Sequence, residues 1–133
     1  GFVNAKVSGA VFSDCTFDET DLYRADLSGC RLLHCTFRAK SLGGASLVRI
    51  QLAGAVLIDC DLKEANLREG DLQGATFVSC DLRAVNAHEA NLEGAKLVAC
   101  NAEGINLDQA NLRGIEHAGT RFFHATTNGA TFQ

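Results

Sequence analysis

The sequence contains no proline, no apolar run long enough to cross a membrane and no excess of basic residues. A membrane helix needs roughly 18 consecutive apolar residues, so a membrane protein is not expected. Twelve basic residues against sixteen acidic ones leave a net charge of −4. This charge argues against direct nucleic-acid binding, because phosphate binding needs a concentrated basic surface. No basic segment is followed by an apolar stretch, so no signal peptide is expected.

The sequence also lacks the residue patterns of common active sites. No set of nucleophile, base and orienting residue is apparent, and neither is a glycine-rich phosphate loop or a dinucleotide fingerprint. The six cysteines include no Cys-x-x-Cys pair, and the four histidines keep no ligand spacing with them. We therefore expect no enzymatic activity, no catalytic residue, no cofactor and no metal site.

What the sequence does contain is a repeat of five residues. From residue 2 onward, 27 positions recur at this interval, and fifteen of them are Leu, seven Phe and one Val. The position two residues earlier is small, with Ala at twelve of 26 sites. Asp, Asn, Ser or Thr lies between the two at most sites, and glycine is frequent two residues after the large one. The remaining small positions include every cysteine of the chain: Cys15, Cys30, Cys35, Cys60, Cys80 and Cys100.

This pattern indicates very short β-strands joined by corners. Two inward residues separated by one outward residue is the alternation of a strand, and glycine lies where the corner would be. An α-helix is excluded, because a period of five would spread the leucines around all its sides. The chain is expected to coil around a shared apolar axis, and proline would remove hydrogen bonds between coils. Asn and Thr between the inward residues can add side-chain hydrogen bonds up the stack.

The repeat resembles the pentapeptide-repeat family over residues 2–133. Units such as Ala65-Asn66-Leu67-Arg68-Glu69 and Ala110-Asn111-Leu112-Arg113-Gly114 show its full form. The resemblance implies an all-β fold, a right-handed quadrilateral β-helix solenoid with four repeats per coil. We expect about seven coils and a single domain over residues 1–133. Cysteine spacing supports four repeats per coil, because three cysteine pairs lie twenty residues apart and only one pair lies fifteen apart.

The large residues of the repeat are expected to form the core. Ala87 and Ala102 are undersized, and we expect larger corner residues to fill the space near them: Val85, Ile105 and Ile115. The structural core is predicted to contain Phe12, Phe17, Leu22, Leu27, Leu32, Phe37, Leu47, Leu52, Leu57, Leu62, Leu67, Leu72, Phe77, Leu82, Leu92, Leu97, Leu107 and Leu112.

Three polar residues interrupt the pattern. Lys40 occupies a small position and predicts a local bulge, with its amine reaching solvent. His117 and Thr127 replace the large residue near the C-terminal end, where we expect the pattern to loosen.

The cysteines are expected to act as compact apolar residues in the inward corner position. Cys60, Cys80 and Cys100 would lie one coil apart, within the Cα range of a disulfide. Parallel side chains seldom have the torsion that a disulfide needs, so we expect reduced thiols. Reduced thiols suit a reducing compartment, and a cytoplasmic location is expected.

One outer face is predicted to carry a patch of apolar residues. Contiguous apolar patches often mark a partner-binding surface. The alternative is that β-branched residues simply suit the surface of a strand. The patch would contain Val56, Ile58, Val78, Val98 and Ala118.

These observations favour a non-catalytic protein–protein interaction module or structural scaffold. The alternative, implied by the family resemblance, is a DNA mimic that inhibits or protects type II topoisomerase, as quinolone-resistance members do. Mimicry requires dense negative charge along the rod, whereas charge here is scattered over all faces. Neither terminal coil is covered by a helix or charged segment. We therefore expect either an end-to-end homodimer or a flanking domain of a longer chain.

Overall fold

Every strand in the described part of the chain is three residues long. The structure is a computed structural model that describes residues 6, 8–18, 21–38 and 41–133. Lys40 lies outside these residues, and so does the bulge expected there. The strands are β1 (Val11–Ser13), β2 (Thr16–Asp18), β3 (Arg31–Leu33), β4 (Thr36–Arg38), β5 (Val56–Ile58), β6 (Thr76–Val78) and β7 (Lys96–Val98).

All strand pairs are parallel and twenty residues apart. β1 pairs with β3, and β2, β4, β5, β6 and β7 follow one another in a five-stranded sheet. Isolated bridges keep the same interval, from Lys6↔Asp26 to Asn111↔Thr131. The interval confirms an all-β solenoid with four five-residue units per coil. The five-stranded sheet itself covers four turns of the solenoid, fewer than the seven coils expected of the whole sequence. Elsewhere in the described residues, isolated bridges join successive coils.

Backbone hydrogen bonds join each coil to both of its neighbours. Leu67 N donates to Asn86 O at 2.6 Å, and Asn66 N donates to Ala45 O at 2.9 Å. The same two bonds recur in successive units, so the backbone groups beside the axis are paired in both directions. Buried backbone groups require such partners, and a coil of constant length supplies them in every unit.

The expected core residues line the axis. All are at most 5 % exposed except Phe12 and Phe17, which are partly buried against the core at its N-terminal end. Phe17 stacks on Phe37 with ring centroids 4.9 Å apart, and Phe12 meets Phe17 edge-on at 5.6 Å. Each fully buried leucine or phenylalanine contributes roughly 1.5–3 kcal/mol, so the axis is the main source of stability.

The axis stays filled where its residues are small. Ala87 is 1 % exposed, and nearby Val85 and Ile105 are 1 % and 4 % exposed. The space left among these side chains is about 20 Å³, room for no more than about one water molecule. The larger corner residues therefore compensate for the missing volume, as expected.

Most corners are four-residue turns with a left-handed third residue. Ala65 N donates to Leu62 O at 2.8 Å and closes such a turn, in which Glu64 has φ +63°. Positive φ at the third residue is typical of a type II turn and favours glycine, which occupies the equivalent position at Gly44. Asp61 Oδ1 accepts the Lys63 N–H at 2.9 Å and stabilises the same turn.

The polar residue before each large residue therefore acts mainly inside its own turn. As at Asp61, Asn66 Oδ1 accepts the Arg68 N–H and Asn91 Oδ1 accepts the Glu93 N–H, each at 3.1 Å. Side-chain bonds between coils, which the sequence also suggested, occur at Asn111 Nδ2, which donates to Asn91 Oδ1 at 3.2 Å. Capping of the turn explains the preference for Asp and Asn better than stacking does.

The turn geometry predicts that one substitution has opposite effects at two alanines. Ala84 is exposed with φ +55°, whereas Ala65 is fully buried and does not have positive φ. Ala84→Gly should raise the free energy of unfolding by up to about 1 kcal/mol, because the left-handed penalty exceeds the entropy cost of glycine. Ala65→Gly should lower it by about 1–2 kcal/mol through loss of a buried methyl group. Urea unfolding measures both, and a loss of stability in both variants would contradict the turn assignment.

Candidate functional site

The five-stranded sheet forms one flat outer face of the solenoid. In each strand the middle residue points inward, and the residue after it points outward. Strand register places these outward residues directly above one another. Ala99 N donates to Ala118 O at 2.9 Å, so Ala118 extends the column beyond β7. We call the apolar part of this column the apolar stripe: Ile58, Val78, Val98 and Ala118.

The structure brings together all five surface residues predicted from the sequence. Four of them form the apolar stripe, and Val56 lies in the neighbouring outward column with Thr76 and Lys96. Val56, Ile58 and Val78 are half-buried, because stacked side chains cover one another. Val98 is 39 % exposed, and Ala118 is exposed.

Charged side chains surround the apolar stripe. Arg38 precedes Ile58 in the same column and is exposed. Lys96 and Glu116, which are joined by a backbone bridge, lie in the neighbouring column and are exposed. On the adjoining face Arg83 binds Asp81 with two hydrogen bonds of 2.6 and 2.9 Å, which lower the pKa of Asp81. An apolar centre with a polar rim is typical of protein contact surfaces.

The corner that follows the flat face is built differently from most others. Cys60, Cys80 and Cys100 lie there one above another, and we call them the thiol column. Each is 2 % exposed. Cys80 Sγ lies 3.3 Å from Leu57 O and 3.5 Å from Val78 O. The sulfurs of Cys60 and Cys100 make the equivalent pair of contacts at 3.4 and 3.5 Å.

Thr120 shows what the side chains in this corner do. Its hydroxyl accepts the Cys100 N–H at 3.2 Å and donates to Leu97 O at 2.9 Å. The equivalent amide and carbonyl at Ala65 and Leu62 bond directly to each other. The hydroxyl is therefore inserted into the turn hydrogen bond of the coil before it.

The cysteines of the column hold the corner open in the same manner. The Cys100 sulfur accepts the Cys80 N–H, and its thiol reaches Phe77 O. The Cys80 sulfur likewise accepts the Cys60 N–H. These cysteines fill the inward corner as compact buried residues, as expected. Their thiols also bond to backbone carbonyl groups, a role that the sequence analysis did not predict. The sequence signal was available in their position, since Cys60, Cys80, Cys100 and Thr120 all follow the flat face at twenty-residue intervals.

Neighbouring thiols of the column influence each other's ionisation. The Cys100 thiol raises the pKa of Cys80, and the Cys80 thiol lowers the pKa of Cys100. Cys100 is therefore the first thiol of this pair to ionise. All six cysteines lie in the described part of the chain and are present as thiols.

Several side chains of the last described coil are exposed although they occupy axis positions. His117 and Thr127 are exposed there, and His117 meets the ring of Phe122 edge-on at 5.7 Å. The coil itself stays regular, because Ala125 N donates to Phe122 O at 3.0 Å and Ala130 N donates to Thr127 O at 3.1 Å, so the structure does not show the expected loosening. A depression of about 200 Å³ is lined by Leu107, Leu112, Ile115, His117, Phe122, Ala125, Thr127 and Phe132.

The described residues contain neither a cluster of metal ligands nor a membrane-spanning helix. In residues 6, 8–18, 21–38 and 41–133, no three His, Cys, Asp or Glu side chains converge in a way that could hold a metal ion. Across the same ranges, no helix has the length and hydropathy needed to cross a membrane.

The inserted sulfur of Cys80 predicts that replacement by threonine preserves stability better than replacement by valine, although the two side chains have the same shape. Cys80→Thr keeps a hydroxyl that can bridge Cys60 N–H and Leu57 O, whereas Cys80→Val leaves both groups without that partner. We expect the threonine variant to be the more stable by about 1–3 kcal/mol, measured by urea unfolding. In an ordinary apolar site valine would be preferred, so equal stability or a more stable valine variant would contradict the inserted bond.

Several solved structures match this chain. A pentapeptide repeat protein from the Arabidopsis thaliana thylakoid lumen is 31 % identical, covering 79 % of this chain and 70 % of that one, with a TM-score of 0.36. HetL from the cyanobacterium Nostoc, involved in heterocyst differentiation regulation, is 20 % identical over 93 % and 90 % of the two chains, with a TM-score of 0.36. QnrB1, a plasmid-mediated fluoroquinolone resistance protein, is 22 % identical, covering 96 % of this chain and 73 % of that one, with a TM-score of 0.34.

Comparison with curated proteins gives no significant match. The family model described as Pentapeptide repeats (8 copies) matches residues 2–38, 45–83 and 75–114. These matches cover most of the sequence and coincide with the stacked units of the solenoid. The chain belongs to the pentapeptide-repeat family.

Proposed function

We propose that this protein is a non-catalytic protein–protein interaction module that binds a protein partner through the apolar stripe and Val56. The observation that carries the proposal is the alignment of Ile58, Val78 and Val98 in one column of a flat parallel sheet. Contiguous exposed apolar residues rimmed by charge are a common mark of a partner-binding surface.

The flat face is also suited to binding because it is already ordered. The middle residues of its strands, such as Leu57 and Phe77, are 1 % and 2 % exposed and anchor each strand to the core. Valine and isoleucine have stiff side chains, so little conformational entropy remains to be lost on binding. The stripe extends over four coils, and its three spacings of about 4.8 Å give roughly 15 Å. That length matches one helix or strand of a partner.

The interior of the solenoid supports a non-catalytic role. Two enclosed spaces in the core measure about 10 and 20 Å³ and are lined by apolar side chains. Neither has room for a substrate or carries a group that could act as an acid, a base or a nucleophile.

A charge placed in the stripe tests the proposed surface. Val78→Glu should weaken partner binding by more than about 100-fold, because burying a carboxylate in an apolar contact costs several kcal/mol. Gln73→Glu is the matched control, since Gln73 is exposed at the equivalent position of the preceding unit in the same coil. Partners captured from cell extract with the parent protein would be purified, and their affinity for each variant measured by calorimetry.

The two variants separate the stripe from the rest of the surface. Loss of binding in Val78→Glu with retention in Gln73→Glu supports the proposal, provided that both keep the parent circular dichroism spectrum. Equal affinity of the parent and Val78→Glu, or equal losses in the two variants, would place the partner elsewhere.

The charge of the rod does not favour topoisomerase mimicry. At twenty residues and about 4.8 Å per coil, the rod is roughly 30 Å long, over which DNA carries roughly 18 negative charges. The chain has a net charge of only −4, and acidic side chains such as Asp81 and Glu69 are paired with Arg83 and Arg49.

We therefore expect micromolar protein to leave DNA gyrase supercoiling unchanged, both with and without a quinolone. Purified gyrase and relaxed plasmid provide the assay, with an established inhibitor as the positive control. Inhibition of supercoiling, or protection of gyrase from the drug, would favour mimicry over the proposed module.

A further inference from the structure

The sulfurs of the thiol column are evenly spaced. Cys60, Cys80 and Cys100 contact equivalent carbonyl groups at distances that agree within 0.1 Å, so their side chains have the same orientation. Neighbouring parallel strands lie about 4.8 Å apart, and sulfurs in equivalent positions have the same separation. That distance is more than twice the S–S bond of about 2.05 Å, so a disulfide would require the corner to distort.

The same separation suits a metal ion held between two sulfurs. A metal–thiolate bond is about 2.3 Å for Zn²⁺, and a linear S–metal–S unit built on that length spans about 4.6 Å. Thiolates prefer soft cations, among them Cu(I). No third ligand converges on the column within the described residues, which excludes the four-coordinate geometry that Zn²⁺ requires.

We propose that Cys80 forms a two-coordinate thiolate site for a soft d¹⁰ cation, Cu(I) in a cell, with the cysteine one coil away on either side. Cys80 belongs to both possible pairs, with Cys60 and with Cys100. It is therefore the residue on which binding depends.

Binding exchanges two protons for one cation. Each thiol loses its proton to solvent, and Cu⁺ with two thiolates leaves a bound unit of charge −1. The backbone N–H groups of Cys60 and Cys80 already point at the sulfurs of Cys80 and Cys100, and donors to a thiolate stabilise its charge. The bonds given up are thiol-to-carbonyl bonds, and a thiol is a weak donor.

The test measures Cu(I) affinity by competition with a chromogenic Cu(I) chelator under anaerobic conditions. Cys15 and Cys35 also lie one coil apart, so every protein in the series carries Cys15→Ser to remove that second pair. In this background we expect one Cu(I) per chain, with release of protons on binding in weakly buffered solution. Zn²⁺ should not compete.

Serine substitutions then identify the column. Cys80→Ser should weaken Cu(I) binding by more than about 100-fold, because removing a ligand costs more than the roughly 10–100-fold that follows from removing a partner of a ligand. Cys60→Ser and Cys100→Ser should each weaken Cu(I) binding less than Cys80→Ser does. The variant that carries both Cys60→Ser and Cys100→Ser should lose as much Cu(I) affinity as Cys80→Ser. Cys30→Ser is the matched control and should bind as the background does, because its neighbours one coil away are Ala10 and Ile50. Thr120 shows that a hydroxyl fits this corner, and circular dichroism checks that each variant is folded.

Three results would overturn the proposal. Binding of Cu(I) by Cys80→Ser with background affinity would show that the column is not the site. A larger loss in Cys30→Ser than in Cys80→Ser would show the same. An X-ray absorption spectrum with three or more sulfur ligands would exclude two-coordinate binding, whereas two sulfurs at one distance would support it.

Discussion

The structure depends on the backbone hydrogen bonds that join successive coils. Leu67 N reaches forward to Asn86 O at 2.6 Å, and Asn66 N reaches back to Ala45 O at 2.9 Å. These bonds require each coil to have the same length, because a single inserted residue would turn every later side chain to the wrong position. Constant coil length in turn aligns outward residues in columns. Both the apolar stripe and the thiol column exist because residues twenty apart in the sequence are neighbours in space.

The flat face and the thiol column are two consequences of one local feature. In most corners the turn closes through a direct bond, as between Ala65 and Leu62, and the unit contributes only an isolated bridge. Beside the thiol column a sulfur enters that bond after β5 and β6, and the Thr120 hydroxyl enters it after β7. The surface that we propose for partner binding is therefore flat where a cysteine or threonine side chain holds the corner open.

The periodic sequence was sufficient to predict which residues lie in the core, because apolar residues repeated every five positions can all be buried in one continuous interior. Leu47 and Leu92 were assigned to the core on spacing alone, and they are 1 % and 4 % exposed. The corners were less predictable, since Cys80 and Ala65 occupy the same position of the repeat but belong to different turns. That difference depends on the side chain one coil away, which a single repeat does not reveal. The column of Ile58, Val78 and Val98 was predicted from the twenty-residue coil. The half-burial of Ile58 and Val78 was not predicted, because it depends on how the side chains of neighbouring coils cover them.

The coil-to-coil hydrogen bonds can be observed directly by NMR, through scalar couplings between amide nitrogen and carbonyl carbon across each bond. The structure predicts correlations from Leu67 to Asn86, from Ala87 to Asn106 and from Leu107 to Thr126, each nineteen residues forward. Correlations to residues four positions back would indicate helix, and correlations fourteen residues forward would indicate a coil of three units. Either result would contradict the fold from which the stripe and the thiol column follow.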